Sequence, residues 1–347
     1  MQTINFQSIL IIAVLAFITP LMIIRIKKIK VPFVVGEIFV GIIVGKTFLI
    51  IAHEDIWILF LSNLGLAYLM FLSGLEIDFS KLKLSKGKSK SSKKLMTCIF
   101  MFIVSMIISY FLSLFLVKIN LIKNIYFSTF MLTASAPGLI VPILKERKLL
   151  NTDYGQTLLI FTLICEFICL ISITILSTFI NSGLSYKDFL FIILLLIAFL
   201  IYISIKKVLP KLPLMAENFS GLHIEVRAAF ALIIVLVYAS QALDTEIVMG
   251  SFLAGVIFSL VSVHNRKYLM EKLDIIGYGF LIPVFFIDLG INLDLRPIFK
   301  NAKMLAMIPL LLIIFYVVKS ISSMLLYRLF GFNKALSAGI ILSSQLS

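Results

Sequence analysis

The chain is poor in charge, in acid and in cysteine. Of its 347 residues only 14% are charged, 17 acids stand against 31 Lys and Arg, and there are three histidines, three cysteines and one tryptophan. No polar stretch is long enough to fold as an extra soluble domain. Gly-x-Ser-x-Gly, His-Glu-x-x-His and Gly-x-Gly-x-x-Gly patterns are all missing, so nothing in the sequence argues for an enzyme of those classes. Cys98, Cys165 and Cys169 lie in apolar segments at spacings that suit neither a disulfide framework nor a zinc site, and read as small core residues. His53, His223 and His264 fall at helix ends or in loops, far apart, so neither a metal site nor a cofactor is expected.

What is present is hydrophobicity. Apolar residues make up 61% of the chain and the mean hydropathy is +1.13, where a soluble domain is about half apolar. Charges cluster between apolar runs of roughly 20 residues, the length that crosses a bilayer core. Lipid offers no partners to backbone groups, so such runs must be helices. A membrane barrel would need short alternating segments, which do not occur. Twelve spans are expected, near 6–24, 33–51, 56–76, 95–117, 124–145, 154–180, 186–208, 221–242, 245–263, 274–292, 303–328 and 333–347. The expected fold class is an all-α polytopic membrane protein, with a single transmembrane domain over 1–347. The first run has no basic region before it and no small-residue cleavage site after it, so it reads as a retained span. The last run is still apolar at Ser347, so the chain is expected to be truncated there.

A net charge of +14 invites a nucleic-acid reading, but its distribution argues otherwise. The loops after odd-numbered spans hold 22 of the 31 Lys and Arg, among them Arg25, Arg147, Lys206, Arg266 and Arg328 and seven lysines from Lys81 to Lys94. Even-numbered loops hold seven, three of them (Arg296, Lys300, Lys303) in the one poorly fitting loop after span 10. Cytoplasmic loops carry the excess of Lys and Arg, which places the protein in the cell membrane with its N-terminus outside. The Lys81–Lys94 segment, interleaved with serine and glycine, reads as a solvated cytoplasmic loop drawn to anionic lipid. It lacks the aromatic interleaving of a nucleic-acid binder.

A repeat lies within the chain. Span 2 contains Gly36-Glu-Ile-Phe-Val-Gly41 and span 9 contains Gly250-Ser-Phe-Leu-Ala-Gly255; span 3 ends Phe71-Leu-Ser-Gly74-Leu-Glu-Ile-Asp78 and span 10 ends Phe286-Ile-Asp-Leu-Gly290-Ile-Asn-Leu-Asp294. Matched glycines are 214 and 216 residues apart. Seven spans separate the copies, an odd number, so the second copy crosses the membrane in the opposite sense. That is an inverted-topology repeat, common in secondary transporters. Continuing the pairing gives span 4 with 11, span 5 with 12 and span 6 with a thirteenth, so thirteen helices are expected in all, about twelve of them present.

Several residues could carry chemistry. Span 5 reads Thr133-Ala-Ser-Ala-Pro137-Gly138-Leu-Ile-Val-Pro142, and two prolines with a glycine interrupt a helix at mid-membrane. Freed carbonyls, with the hydroxyls of Thr133 and Ser135, could hold an ion; a kink without a ligand is the alternative. Glu166 sits near the middle of span 6. A carboxylate there costs about 2.5–3.5 kcal/mol on insertion scales, and such a group can hold a proton or a cation but not both. A protonated acid bonded to a neighbouring helix is the alternative. Lys319 in span 11 needs a partner or a cavity unless it snorkels. Asp288 in Pro283-Val-Phe-Phe-Ile-Asp288 is a second mid-span carboxylate. Glu37 reads as a structural first-turn acid; Glu225 and Arg227 could pair, and Glu76 and Asp78 read as boundary charges.

The two glycine motifs, the Phe71–Asp78 and Thr133–Glu146 segments and Ile282-Pro-Val-Phe-Phe-Ile-Asp-Leu-Gly290 together resemble the sodium/hydrogen exchanger (cation:proton antiporter) family, and the bacterial branch that includes potassium-efflux antiporters. The resemblance runs through nearly the whole chain. It implies an antiporter fold and a homodimer, with a dimerisation domain and a mobile core in which two interrupted helices cross. On that resemblance Thr133 and Ser135 match the first interrupted helix, Gly339–Ser347 begins the second, Glu166 matches the ion-binding acid and Lys319 the core cation. Cys165 departs from it, standing where the family has Asp or Asn, so a two-carboxylate site is lost and Lys319 loses that partner; Glu166 or Asp288 is expected to replace it. The implied activity is exchange of Na⁺ or K⁺ for H⁺ by alternating access, one cation per proton. A ligand-gated cation efflux channel and a non-transporting sensor or degenerate fragment are the alternatives.

Overall fold

A computed structural model describes residues 6–25, 32–49, 55–77, 90–182, 190–208, 223–261 and 266–343. His53, His264, Asp78, most of the Lys81–Lys94 segment and residues 344–347 lie outside the described residues. The helices are α1 (Phe6–Arg25), α2 (Phe33–Val44), α3 (Ile56–Leu75), α4 (Lys90–Lys118), α5 (Ile125–Thr133), α6 (Pro137–Glu146), α7 (Asp153–Ser182), α8 (Leu190–Val208), α9 (Ile224–Ala242), α10 (Ile247–Val261), α11 (Arg266–Ile276), α12 (Ile282–Asn292), α13 (Arg296–Lys300), α14 (Ala302–Ser323), α15 (Tyr327–Phe330) and α16 (Phe332–Leu342). Among the described residues nine helical stretches are long and apolar enough to cross a membrane, and Phe33–Val44, Ile247–Val261 and Phe332–Leu342 are shorter apolar helices. These twelve match the expected spans one for one. The chain is an all-α, multi-pass membrane protein.

Local chemistry sets where helices begin and break. Asp55 caps α3, its Oδ1 accepting from Trp57 N and Ile58 N at 2.9 Å, and Asn124 caps α5 through Phe127 N at 3.1 Å. Span 5 breaks as expected, into α5 and α6. Two further breaks had no clear signal. Span 10 loosens into a π turn at Gly277–Leu281, just before Pro283, which has no N–H to continue the ladder. Span 11 tightens into a 3₁₀ turn at Met324–Leu326 and then bends at Gly331, whose φ of +88° favours glycine. α2 ends at Val44, seven residues before the apolar run does, because Lys46 N–H donates to Ile291 O at 3.0 Å and Thr47 Oγ1 to Leu293 O at 2.6 Å.

The chain divides into two compact units, one of residues 1–76 with 191–302 and the other of residues 77–190 with 303–347. In the first, α3 packs on α10 and α12, α12 on α2, and α9 on α10. Ile12, Val44, Ile58, Val284, Ile287 and Ile291 form its apolar cluster. Backbones touch where side chains are absent. A methyl on Gly41 would collide with the Ile287 carbonyl and the Cα of Gly290, and one on Gly255 with the Phe71 carbonyl and the Leu75 amide beside Gly74. The repeat pairs Gly41 with Gly255 and Gly74 with Gly290. Exchanging the copies therefore turns the Gly41–Gly290 contact into the Gly255–Gly74 contact, so the inverted repeat is visible as geometry.

In the second unit α4 packs on α5 and α7, and α6 on α7. Leu116, Leu132, Ile314 and Val318 form its cluster. The buried side of α4 carries Ser105, Ser109 and Ser113 at four-residue spacing, none of them exposed. Small residues on one face let helices approach closely in lipid. α16 is held against the 3₁₀ turn by Ser323 Oγ donating to Ala335 O at 2.9 Å, and Tyr154 Oη of α7 donates to Lys334 O at 2.9 Å.

Candidate functional site

The site is built where α5 stops. Ala134 leaves the helix at φ −53°, ψ 158°, Ala136 is extended, and Pro137 opens α6. The C-terminal pole of one half-helix and the N-terminal pole of the other thus face one short gap. Such poles carry about half an elementary charge each, negative at the C-terminus and positive at the N-terminus. Thr133 and Ser135, at the edges of the gap, are wholly buried. Thr133 Oγ1 donates back to Thr129 O at 2.8 Å, and Ser135 Oγ donates to Leu342 O at 3.4 Å. The last turn of α16 therefore reaches the same gap. Both hydroxyls spend their proton on a carbonyl and keep their lone pairs to accept.

Lys319 enters from α14. It is completely buried, and its Nζ donates to the Thr133 carbonyl at 2.5 Å. Its ammonium lies 5.7 Å from the centre of the Phe161 ring, within cation–π range. An isolated buried ammonium would be costly; here it sits at the negative end of α5 and over an aromatic face. Its hydrogen-bond partner is a backbone carbonyl. Snorkelling is excluded by its burial.

Glu166 lies one turn beyond Thr162 on α7, half-buried, and takes no hydrogen-bond partner among the described residues. Cys165, the residue before it, is fully buried and reduced, as are Cys98 and Cys169. Among the described residues no group of three or more His, Cys, Asp or Glu is arranged to hold a metal.

The structure thus gathers Thr133, Ser135, Pro137, Gly138, Glu166 and Lys319 in one unit. Asp288 belongs to the other unit. It is buried on α12, its Oδ1 accepts from Asn292 Nδ2 at 3.2 Å, and Asn292 Oδ1 accepts from Lys46 Nζ at 2.7 Å. Glu37 and Glu76 are buried in that same unit. Sequence reasoning missed Phe161 and the Leu342 carbonyl. Neither carries a signal in one dimension, because an apolar ring and a backbone oxygen acquire a role only through their neighbours.

Comparison with known proteins places the chain in a family. Residues 13–347 match the family described as sodium/hydrogen exchanger, transmembrane. YjbQ of Bacillus subtilis (strain 168), a protein named for Na⁺/H⁺ antiport, is 35% identical over 349 residues, covering 98% of this chain and 56% of its own length. The chain therefore spans little more than half of that relative. A protein of Methanocaldococcus jannaschii named for the same activity is 26% identical, over 89% of this chain and 77% of its own. The solved sodium proton antiporter MjNhaP1 of the same organism superposes with a TM-score of 0.64 over 97% of this chain and 84% of that one, at 16% identity, a likeness of fold. With the match running through both units, the chain belongs to the sodium/hydrogen exchanger family, a family of transporters.

Proposed function

We propose that the protein exchanges a monovalent cation, Na⁺ or K⁺, for protons by alternating access, with Glu166 carrying one or the other. The observation that carries this reading is the α5–α6 gap, lined by buried Thr133 and Ser135 and closed by Lys319, in the same unit as a half-buried carboxylate. A mid-membrane acid is costly enough to mark a functional group. When Glu166 releases its proton the carboxylate attracts a cation, and Thr133 Oγ1, Ser135 Oγ and the carbonyls of the gap supply further oxygens. When a proton returns, the negative charge is lost and the cation leaves. Lys319 keeps the α5 pole occupied and holds a fixed positive charge, which disfavours a second cation. With Cys165 beside it, Glu166 is the one acid at this position, so one proton moves per cation at this site.

Asp288 is proposed as a second proton-coupling carboxylate, in its own unit, oriented by Asn292. The charge bias of the loops supports an external N-terminus, and the family supports a homodimer. The names of the relatives favour an antiporter over a channel or a sensor. In everted vesicles of cells expressing the full-length protein, addition of NaCl or KCl should collapse an imposed pH gradient, read as dequenching of a pH-gradient dye. Glu166→Gln should abolish the response. An equal response from that variant would remove Glu166 from the mechanism.

A further inference from the structure

We propose that the groove between the first turns of α4 and the segment Met324–Leu329 binds an anionic phospholipid of the leaflet it opens to, with the head-group phosphate held by Lys93 and Arg328. The groove encloses about 760 Å³. Among the described residues two cations, Lys93 and Arg328, line it, and no carboxylate does. Among the described residues neither side chain has an ion-pair partner, whereas the neighbouring Lys94 is bound to Asp153 at 3.0 Å. The rest of the lining is largely apolar, with Met96, Phe100, Leu325 and Leu329 among it. Met96 and Phe100 are 69% and 53% exposed, on the side of α4 that would face lipid tails.

This combination selects the ligand. A soluble phosphate would use the cations and leave the apolar lining wet. A zwitterionic lipid would cover that lining but bring its own cation against Lys93 and Arg328. Only an amphiphile with a net negative head and an acyl chain satisfies both. Basic pockets between membrane helices are known to hold such head groups. The 3₁₀ turn and the positive φ of Gly331 hold Tyr327–Leu329 beside α4, while Ser323 and Tyr154 tie the following helix down. Tyr327, 58% exposed, adds an amphipathic ring of the kind found at membrane interfaces. The site is separate from Glu166 and does not depend on the transport reading.

The test uses the full-length protein in phosphatidylcholine vesicles. Trp57→Phe removes the one tryptophan of these 347 residues, and Phe100→Trp places a reporter in the groove. Brominated phosphatidylglycerol should quench that reporter with an apparent affinity about tenfold above that of brominated phosphatidylcholine. Adding Lys93→Gln and Arg328→Gln should erase the preference. Lys93→Arg with Arg328→Lys should keep it, which separates a lost site from a misfolded protein. Equal quenching by the two lipids, or a preference that survives the double glutamine variant, would overturn the proposal. So would displacement of the lipid by millimolar glycerol phosphate, since that would assign the groove to a soluble anion.

Discussion

At the scale of single residues, the site is a problem in placing one ammonium and one carboxylate where water is scarce. Lys319 is tolerated because it ends a half-helix and lies over a ring, and removing it should expose that dependence. Lys319→Ala strands the buried Thr133 carbonyl, which should cost about 1–3 kcal/mol and lower the melting temperature of purified protein by several degrees. Lys319→Arg keeps the charge and a donor and should recover part of the loss. An unchanged melting curve for the alanine variant would mean that the contact contributes nothing to stability. Cys165→Asp tests the other half of the argument. A second carboxylate beside Glu166 should raise the proton count per cation, so proteoliposomes should show a transport current that wild type lacks. The residue types here were legible in the sequence, since Glu166 and Lys319 are conspicuous in apolar runs. Their partners were not, because Phe161 and the Thr133 carbonyl are unremarkable until the chain folds.

At the scale of elements, prolines and glycines decide which helices run through and which stop. The α5–α6 break could be read directly from Pro137 and Gly138. The π turn of span 10 and the 3₁₀ turn of span 11 could not, since a proline or a glycine near the end of a long apolar run fits a straight helix about as well. The glycines differ among themselves, and this is measurable. Gly290→Ala would push a methyl into the Ile38 carbonyl and Gly74→Ala into that of Phe252. Each should destabilise by about 1–3 kcal/mol, as overpacking does, and reduce the monodisperse fraction on size-exclusion chromatography. Gly279→Ala meets nothing within 4 Å and should behave as wild type. Equal losses at all three positions would show that backbone approach is not what these glycines provide.

At the scale of the whole molecule, the number of spans and the inverted repeat were both legible, because hydropathy and glycine spacing are periodic along the chain. The division into two units was not, since each unit is assembled from two distant stretches that no local pattern joins. The division also separates Asp288 from Glu166. Asp288→Asn tests a second carboxylate. If Asp288 is coupled to transport, the pH at which dequenching is half-maximal should move in that variant; an identical pH profile would confine Asp288 to a structural role with Asn292. The paired glycine contacts constrain each other. Gly41 on Gly290 and Gly255 on Gly74 are one contact seen twice, related by an exchange that reverses the sense of crossing. Whatever side-chain volume one crossing refuses, its mate must refuse as well, so tolerance measured at one pair forecasts tolerance at the other.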